Sequence, residues 1–399
     1  MPVTLMLPTC SAGNTYELFG LGNKVEAIAT RSRWSARKVL AIRTMREVHT
    51  RAASGSGRHP IRSRILIVFT AAAALFIAAT KAPLAAADES QLAQLWQEPS
   101  DLSSRDLFHG PWGAKNAPDA AATYTFLKPK ETGVNPGVVV RDPQGRTWHV
   151  KQSPLDDDKE SSIDAQGAEG PVEVTVSRIL SAVGYHQPPV YFLPEFTMTD
   201  ASGTRRLPGG RFRLETESLH KIGEWPWSKN PFVGARPYNG LLAILLMFNS
   251  WDLKDDNNTL YEVRNGGAVN RWYVVRDLGA ALGETGRFNS LSRRWNRAKR
   301  NDIDTFERHT FIEGVEDGFV KFAYQGRQPE LVRHRITVED LQWASDLLGR
   351  LSDTQWRDAF RAGGYEPALA DRFIRKIKDN VAAALKVTAS SNRTSLNRR

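Results

Sequence analysis

Short runs of alternating apolar and polar residues fill the chain from residue 123 to residue 215, and longer apolar runs follow. Thr123–Leu127, Gly137–Arg141 and Arg146–Lys151 read as strands, the last two joined by the turn-forming Asp142-Pro143-Gln144-Gly145. Lys159–Gly170 is polar and loop-like. Pro171 then opens a helix through Ala182 that ends before Gly184, since proline suits the first helical position and glycine the residue past the last. Tyr191–Thr199 and Arg211–Glu215 are expected to be further strands. Leu241–Phe248 is almost wholly apolar and predicts a buried helix, and Thr259–Val263 and Arg271–Val275 predict a hairpin around Asn265-Gly266-Gly267. The last third reads as helical: Thr337 caps one helix with Asp340 at its third position, Ser352–Gln355 is a capping box, and Pro367–Lys386 is the last long helix. The fold class expected is α+β: a bilobal protein with a β-rich N-lobe (residues 121–215) and a mostly helical C-lobe (residues 216–387) carrying a short hairpin. Residues 88–120 form an irregular or partly helical arm, with Leu92, Leu95, Trp96 and Leu107 as packing points. No internal repeat is visible.

Composition changes this picture at one end. The chain has 399 residues, 41% of them hydrophobic and 25% charged, which suits a folded protein. Its net charge of +10 invites a nucleic-acid partner, but residues 1–87 hold 12 of the 54 basic residues and only 3 of the 44 acidic ones. The remaining 42 basic and 41 acidic residues nearly cancel, so no nucleic acid is expected. Ile65–Thr80 is apolar and uncharged, Arg58, Arg62 and Arg64 precede it, and Ala85-Ala86-Ala87 offers a small-residue cleavage site. That layout predicts a secretory signal peptide in a leader of residues 1–87, and an exported protein, periplasmic or extracellular. The alternative is an uncleaved anchor over residues 65–80, although a span needs about 20 residues; the membrane is then met only through the leader. The stretch before the apolar run is too long for a signal peptide counted from Met1, so Met45 is the expected start. The only cysteine, Cys10, lies upstream of it, which removes disulfides, thiolate metal sites and a cysteine nucleophile from the mature chain. Residues 388–399, rich in Ser, Asn and Arg, are expected to be a disordered tail.

The candidate chemistry lies in Asn249-Ser250-Trp251-Asp252-Leu253-Lys254-Asp255-Asp256-Asn257-Asn258 and in Val274-Val275-Arg276-Asp277-Leu278-Gly279. Phosphoryl transfer asks little of a protein: a carboxylate to orient the attacking hydroxyl, and an amide and a second carboxylate to hold magnesium against nucleotide phosphates. Asp252 and Asn257 have the D-x-x-x-x-N spacing for the first two groups, and Asp277 opens a D-L-G for the third. Asn258 or Asp256 could replace Asn257, because the doubled residues leave the register open. Other chemistries lack their motifs: there is no H-E-x-x-H and no G-x-S-x-G, and Lys254 spoils an EF-hand reading of Asp252 to Asp256. Trp225-Pro226-Trp227 is either a stacking platform for sugar or peptide or, the preferred reading, interface packing.

The order Gly145-Arg146-Thr147-Trp148-His149-Val150-Lys151, Glu173 to Tyr185, Asn249 to Asn258 and Val274 to Gly279 resembles the protein-kinase-like superfamily. It is closer to the atypical branches (HipA-type, spore-coat CotH-type and phosphatidylinositol-kinase-like proteins, and exported bacterial proteins of that type) than to eukaryotic protein kinases. The resemblance spans residues 123–285 and implies ATP, or another nucleoside triphosphate, and Mg²⁺ as cofactors. It implies that Lys151 contacts nucleotide phosphates and pairs with Glu173, that Asp252 orients the acceptor, and that Asn257 and Asp277 ligate the metal. The acceptor class, protein, lipid or small molecule, is open. Two features depart from the pattern: Ser250-Trp251 replaces His-Arg, and Thr132–Gly137, with two glycines and a proline, replaces the G-x-G-x-x-G loop. They leave a catalytically inactive pseudokinase, serving as a binding or scaffolding module, as the alternative function. Arg287, Arg293, Arg294, Arg297, Lys299 and Arg300 form a basic patch that could dock an acidic substrate, though a solvated loop is the preferred reading.

Overall fold

Apolar side chains at every second position curl the first half of the folded chain into a closed five-stranded barrel in the computed structural model. The structure describes residues 88–131, 135–152, 168–265, 268–285, 287–289, 294–296 and 299–388. All of them belong to the unit Leu84–Arg399. The leader, the tail, Met45, Cys10, Thr132–Val134, the Gly266-Gly267 turn and the side chains of the basic patch before Lys299 lie outside the described residues.

The barrel strands are β1 (Thr123–Pro129), β2 (Gly137–Arg141), β3 (Thr147–Gln152), β4 (Val190–Asp200) and β5 (Gly203–Leu214), in the order β1-β2-β3-β5-β4. Neighbours are antiparallel except β1 and β4, whose parallel pairing closes the ring. Tyr124, Val140, Trp148, Val150, Phe196 and Phe212 fill it. The alternation that sends Trp148 and Val150 inward places Lys151 on the outer face of β3, and Arg211 on the outer face of β5 opposite it. β5 is longer than the predicted Arg211–Glu215. The strand runs through Pro208-Gly209-Gly210, where the chain crowds its neighbours. A Cβ at Gly209 would lie 1.8 Å from the Leu193 carbonyl oxygen, and one at Gly210 2.2 Å from that of Lys151.

One wall of the barrel is covered by helix α2 (Glu169–Ala182), after a short α1 (Glu89–Leu92). α2 starts two residues before the predicted Pro171, which sits in its first turn, where no intrahelical N–H is required. Almost every residue of α2 is buried, polar ones included, since it lies between β4 and β5 on one side and α6 (Asp353–Ala362) on the other.

The second core gathers around α3 (Arg236–Met247), whose eleven residues from Pro237 to Met247 are all buried, with α5 (Val338–Gly349), α6 and α7 (Pro367–Leu385). The capping boxes at Thr337 with Asp340 and at Ser352 with Gln355 form as read from the sequence. The arm before the barrel packs here through Leu95, Leu102 and Leu107. The predicted hairpin, β7 (Asn258–Asn265) with β8 (Ala268–Val275), gains a third strand, β6 (Leu219–Gly223), that sequence reading missed. The last third is less uniformly helical than expected. After β9 (Arg287–Asn289), β10 (Arg294–Asn296) and α4 (Ile303–Arg308), the strands β11 (Ile312–Glu316) and β12 (Phe319–Phe322) form another hairpin around Asp317-Gly318. Trp225 and Trp227 are buried, 2% and 0% exposed, and pack as core residues, so the stacking platform is ruled out. Among the described residues no helix is long and apolar enough to cross a membrane.

Gly210→Ala is expected to destabilise the protein by about 2 kcal/mol, because its methyl meets the Lys151 backbone and cannot be accommodated by a rotamer change. Chemical denaturation checks this, and a loss below about 0.5 kcal/mol would show that the strands separate freely there.

Candidate functional site

Three of the five predicted residues meet at one ammonium. Lys151, at the end of β3, is 7% exposed, and its Nζ lies 3.3 Å from the Glu173 carboxylate of α2. Nζ also lies 2.8 Å from Glu169 of the same helix and pairs closely with Asp277. Glu173 sits in the second turn of α2, not the first as predicted, because the helix begins at Glu169. Sequence reading missed Glu169. At four residues' spacing it lies on the same helix face as Glu173, which is the signal that could have found it. Its other partners are Asn135 and Arg300. The second Glu173 oxygen lies 3.0 Å from Arg211 of β5. Burial alone would raise the Glu173 pKa, but the charges of Arg211 and Lys151 outweigh it and hold the group at about 2, against 4.5 ordinarily. Arg213, next along the outer face of β5, is lowered to about 10, first by burial and then by repulsion from Arg211 and Arg276, and stays protonated at neutral pH. Among the described residues neither Arg213 nor Arg276 has a carboxylate within ion-pair distance, so this side of the site is positively charged.

The hairpin brings the remaining residues to this cluster. Asn258 pairs with Val275 across β7 and β8, and the Arg276 N–H donates to the Asn257 carbonyl at 2.9 Å. The chain on either side therefore sets Asn257 one step from Asp277. Asp277 takes a left-handed φ of 56°, which a short polar residue tolerates. Leu278 is buried behind it, and a Cβ on Gly279 would lie 2.6 Å from the Glu169 Cβ, so this glycine lets the segment meet α2.

α3 runs into the loop that carries Asp252. Asn249 has a φ of 49°, and its amide donates to the Gly283 carbonyl at 2.6 Å, which fixes the turn out of the helix. The Asn257 side-chain amide donates to the Asp252 backbone carbonyl at 2.7 Å and, more weakly, to its carboxylate at 3.4 Å. Of the three alternatives, Asn257 is the one whose side chain bonds Asp252. Asn258 is fully buried with its amide on the Trp225 carbonyl, and Asp256 is largely exposed on the far side. Two cations that sequence reading did not single out flank Asp252: Lys254 Nζ at 3.1 Å and Arg327 Nε at 2.6 Å. Lys254 was legible, two residues on within the same motif. Arg327 was not, because only the fold brings Tyr324–Gln328 over the loop, where the Arg327 N–H and Tyr324 hydroxyl donate to the Trp251 carbonyl. Lys254 and Arg327 also border an open cavity of about 680 Å³.

Among the described residues no three His, Cys, Asp or Glu side chains are grouped to hold a metal. Asp277 and Asn257 offer one carboxylate and, with the amide nitrogen committed to Asp252, one amide oxygen. Such an all-oxygen pair fits magnesium, which takes one or two protein ligands and completes its shell with substrate phosphates and water.

No protein-family model matches the chain, and comparison with curated proteins finds no match. Among solved structures the chain is similar to the Helicobacter pylori proinflammatory kinase CtkA, at 12% identity over 66% of this chain and 97% of that one, with a TM-score of 0.31. It is also similar to the Rio2 kinase of Chaetomium thermophilum, solved as an ADP/Mg2+-phosphoaspartate complex, at 12% identity over 65% and 72% of the two chains, with a TM-score of 0.28. Both neighbours are kinases.

The depressed Glu173 pKa sets a pH dependence. The carboxylate binds its proton less readily when folded, so its contribution to stability is complete above about 4.5 and is lost as pH falls through about 2. Glu173→Gln is expected to flatten the acid limb of the stability curve between those values. Urea unfolding at stepped pH checks this; an unchanged slope would mean that Glu173 titrates as it does in the unfolded chain.

Proposed function

We propose that this chain is an exported, kinase-like phosphotransferase of bilobal build that uses Mg-ATP. The observation that carries the reading is the convergence of Glu169, Glu173 and Asp277 on Lys151, supported by the Arg276 N–H on the Asn257 carbonyl and by the Asn257 amide on Asp252. The bilobal division rests on two separate apolar clusters, one inside the barrel and one among the helices. Export rests on the apolar run Ile65–Thr80 with its preceding arginines. An uncleaved anchor with the body facing the cytoplasm would supply ATP more readily.

In this reading Glu173 holds the Lys151 ammonium for the α/β-phosphates of the nucleotide, and Arg213 and Arg276 add positive potential nearby. Asp252 orients the acceptor hydroxyl and takes its proton while the oxygen bonds to the γ-phosphorus and the bond to the β-phosphate oxygen breaks, releasing ADP. Lys254, within ion-pair reach of Asp252, supplies charge to the phosphoryl group in transit. Magnesium, held by Asp277 and the Asn257 amide oxygen, neutralises charge on the phosphates when bound. The acceptor enters beside Lys254 and Arg327, where the cavity opens.

A second reading, an inactive pseudokinase serving as a binding module, is favoured by the ion pairs themselves. Asp277 is paired with Lys151, and Asp252 with Lys254 and Arg327, so each proposed working carboxylate already has a cation of the protein's own.

Thermal unfolding with and without MgATP separates the two. A ligand at a hundredfold its dissociation constant adds about 2.7 kcal/mol, a clear rise in midpoint. The rise is expected to need magnesium and to vanish in Asp277→Ala. Wild-type protein that does not shift at millimolar nucleotide would sink the phosphotransferase reading and leave the module.

A further inference from the structure

Beside α2, a cavity of about 490 Å³ is lined by the arm and the turn Gly184–Gln187. Arg178 lines it, five residues past Glu173 on α2 and only 2% exposed. A buried guanidinium normally has a carboxylate partner. Arg178 has none within ion-pair distance among the described residues. Its Nε makes one long bond, 3.4 Å, to the Phe108 carbonyl, and its Cζ stands 5.0 Å from the Tyr191 ring centroid. Neither terminal nitrogen has an acceptor among the described residues.

The other charged groups of the lining are already committed. Arg105 binds Asp101 and donates to the Ser181 and Ala182 carbonyls at the end of α2. Asp106 accepts from the Phe108 and His109 backbone and pairs with the His109 ring. One wall is flat and aromatic: His186 stacks on Trp272 at 4.4 Å with an interplanar angle of 2°. Burial lowers the His186 pKa to about 4, so that wall is neutral. The cavity therefore combines one buried cation with unused donors and a neutral aromatic surface.

We infer that this cavity is a binding site for a small oxyanion, a carboxylate or phosphate group, received by the terminal nitrogens of Arg178. A guanidinium fork offers two parallel donors, the geometry both oxyanions accept. The site is separate from the candidate nucleotide site and does not depend on the phosphotransferase reading.

Calorimetric titration of the full chain with inorganic phosphate, and separately with malonate, tests the inference. Saturable binding of either probe is expected; which one binds identifies the oxyanion. Arg178→Gln is expected to weaken it on the order of tenfold or more, since a hydrogen bond to a charged group carries that much. Should Arg178→Gln not fold, Ser181→Met decides, because it narrows the cavity and leaves Arg178 intact: weaker binding upholds the site and unchanged binding overturns it. Absence of heat with both probes, or undiminished binding in folded Arg178→Gln, would each overturn the inference.

Discussion

An ammonium buried in a protein interior has to be matched by carboxylates, because its desolvation costs several kcal/mol that only close opposite charge returns. Lys151 is matched three times over, twice from α2 and once from the segment after β8. Most of the site's architecture follows from that requirement. The barrel must turn the outer face of β3 toward α2, so the inner face carries Trp148 and Val150. α2 must stay nearly dry, so its position is fixed by packing against β4, β5 and α6 at once. The second Glu173 oxygen needs its own cation, which Arg211 supplies from the neighbouring strand.

The hairpin meets a different constraint, delivering two distant residues to one place. An antiparallel pair returns the chain beside its own start, and here the start is the end of the Asp252 loop. Because register is discrete, the pairing of Asn258 with Val275 fixes Asn257 against Arg276 and Asp277. A slip by one residue would turn Asn257 to the other face and bring Asn258, now fully buried against the Trp225 carbonyl, into its place.

Electrostatic self-sufficiency links the two functional readings. A site whose carboxylates already pair with lysine and arginine is stable without a ligand, and a nucleotide gains from it only what those pairs give up. The same balance makes Arg178 conspicuous. The Lys151 ammonium meets three carboxylates, whereas this buried guanidinium has only a carbonyl and an aromatic ring.

Local patterns in the sequence determined β2, both capping boxes, the buried helix before Asp252 and the end of α7 to within a residue, because alternation, caps and apolar runs act over a few residues. Lys151, Glu173, Asp252, Asn257 and Asp277 were visible as motif spacing. Spacing alone left Asp256, Asn257 and Asn258 as alternatives, and only the fold shows that Asn257 is the one whose amide bonds Asp252. Tertiary structure alone decided what depends on approach between distant segments. Glu169 joins Lys151 because α2 begins earlier than Pro171 suggests, and Arg327 reaches Asp252 because a later loop folds over it. β5 extends upstream of Arg211 through Gly209 and Gly210, since their missing side chains make room for β4 and β3. β6 escaped notice for the same reason, since a short strand of mixed polarity is stabilised by the partner it meets and β7 lies far along the chain; β11 and β12 are joined directly, and Asp317-Gly318 between them was a local hairpin signal that went unread.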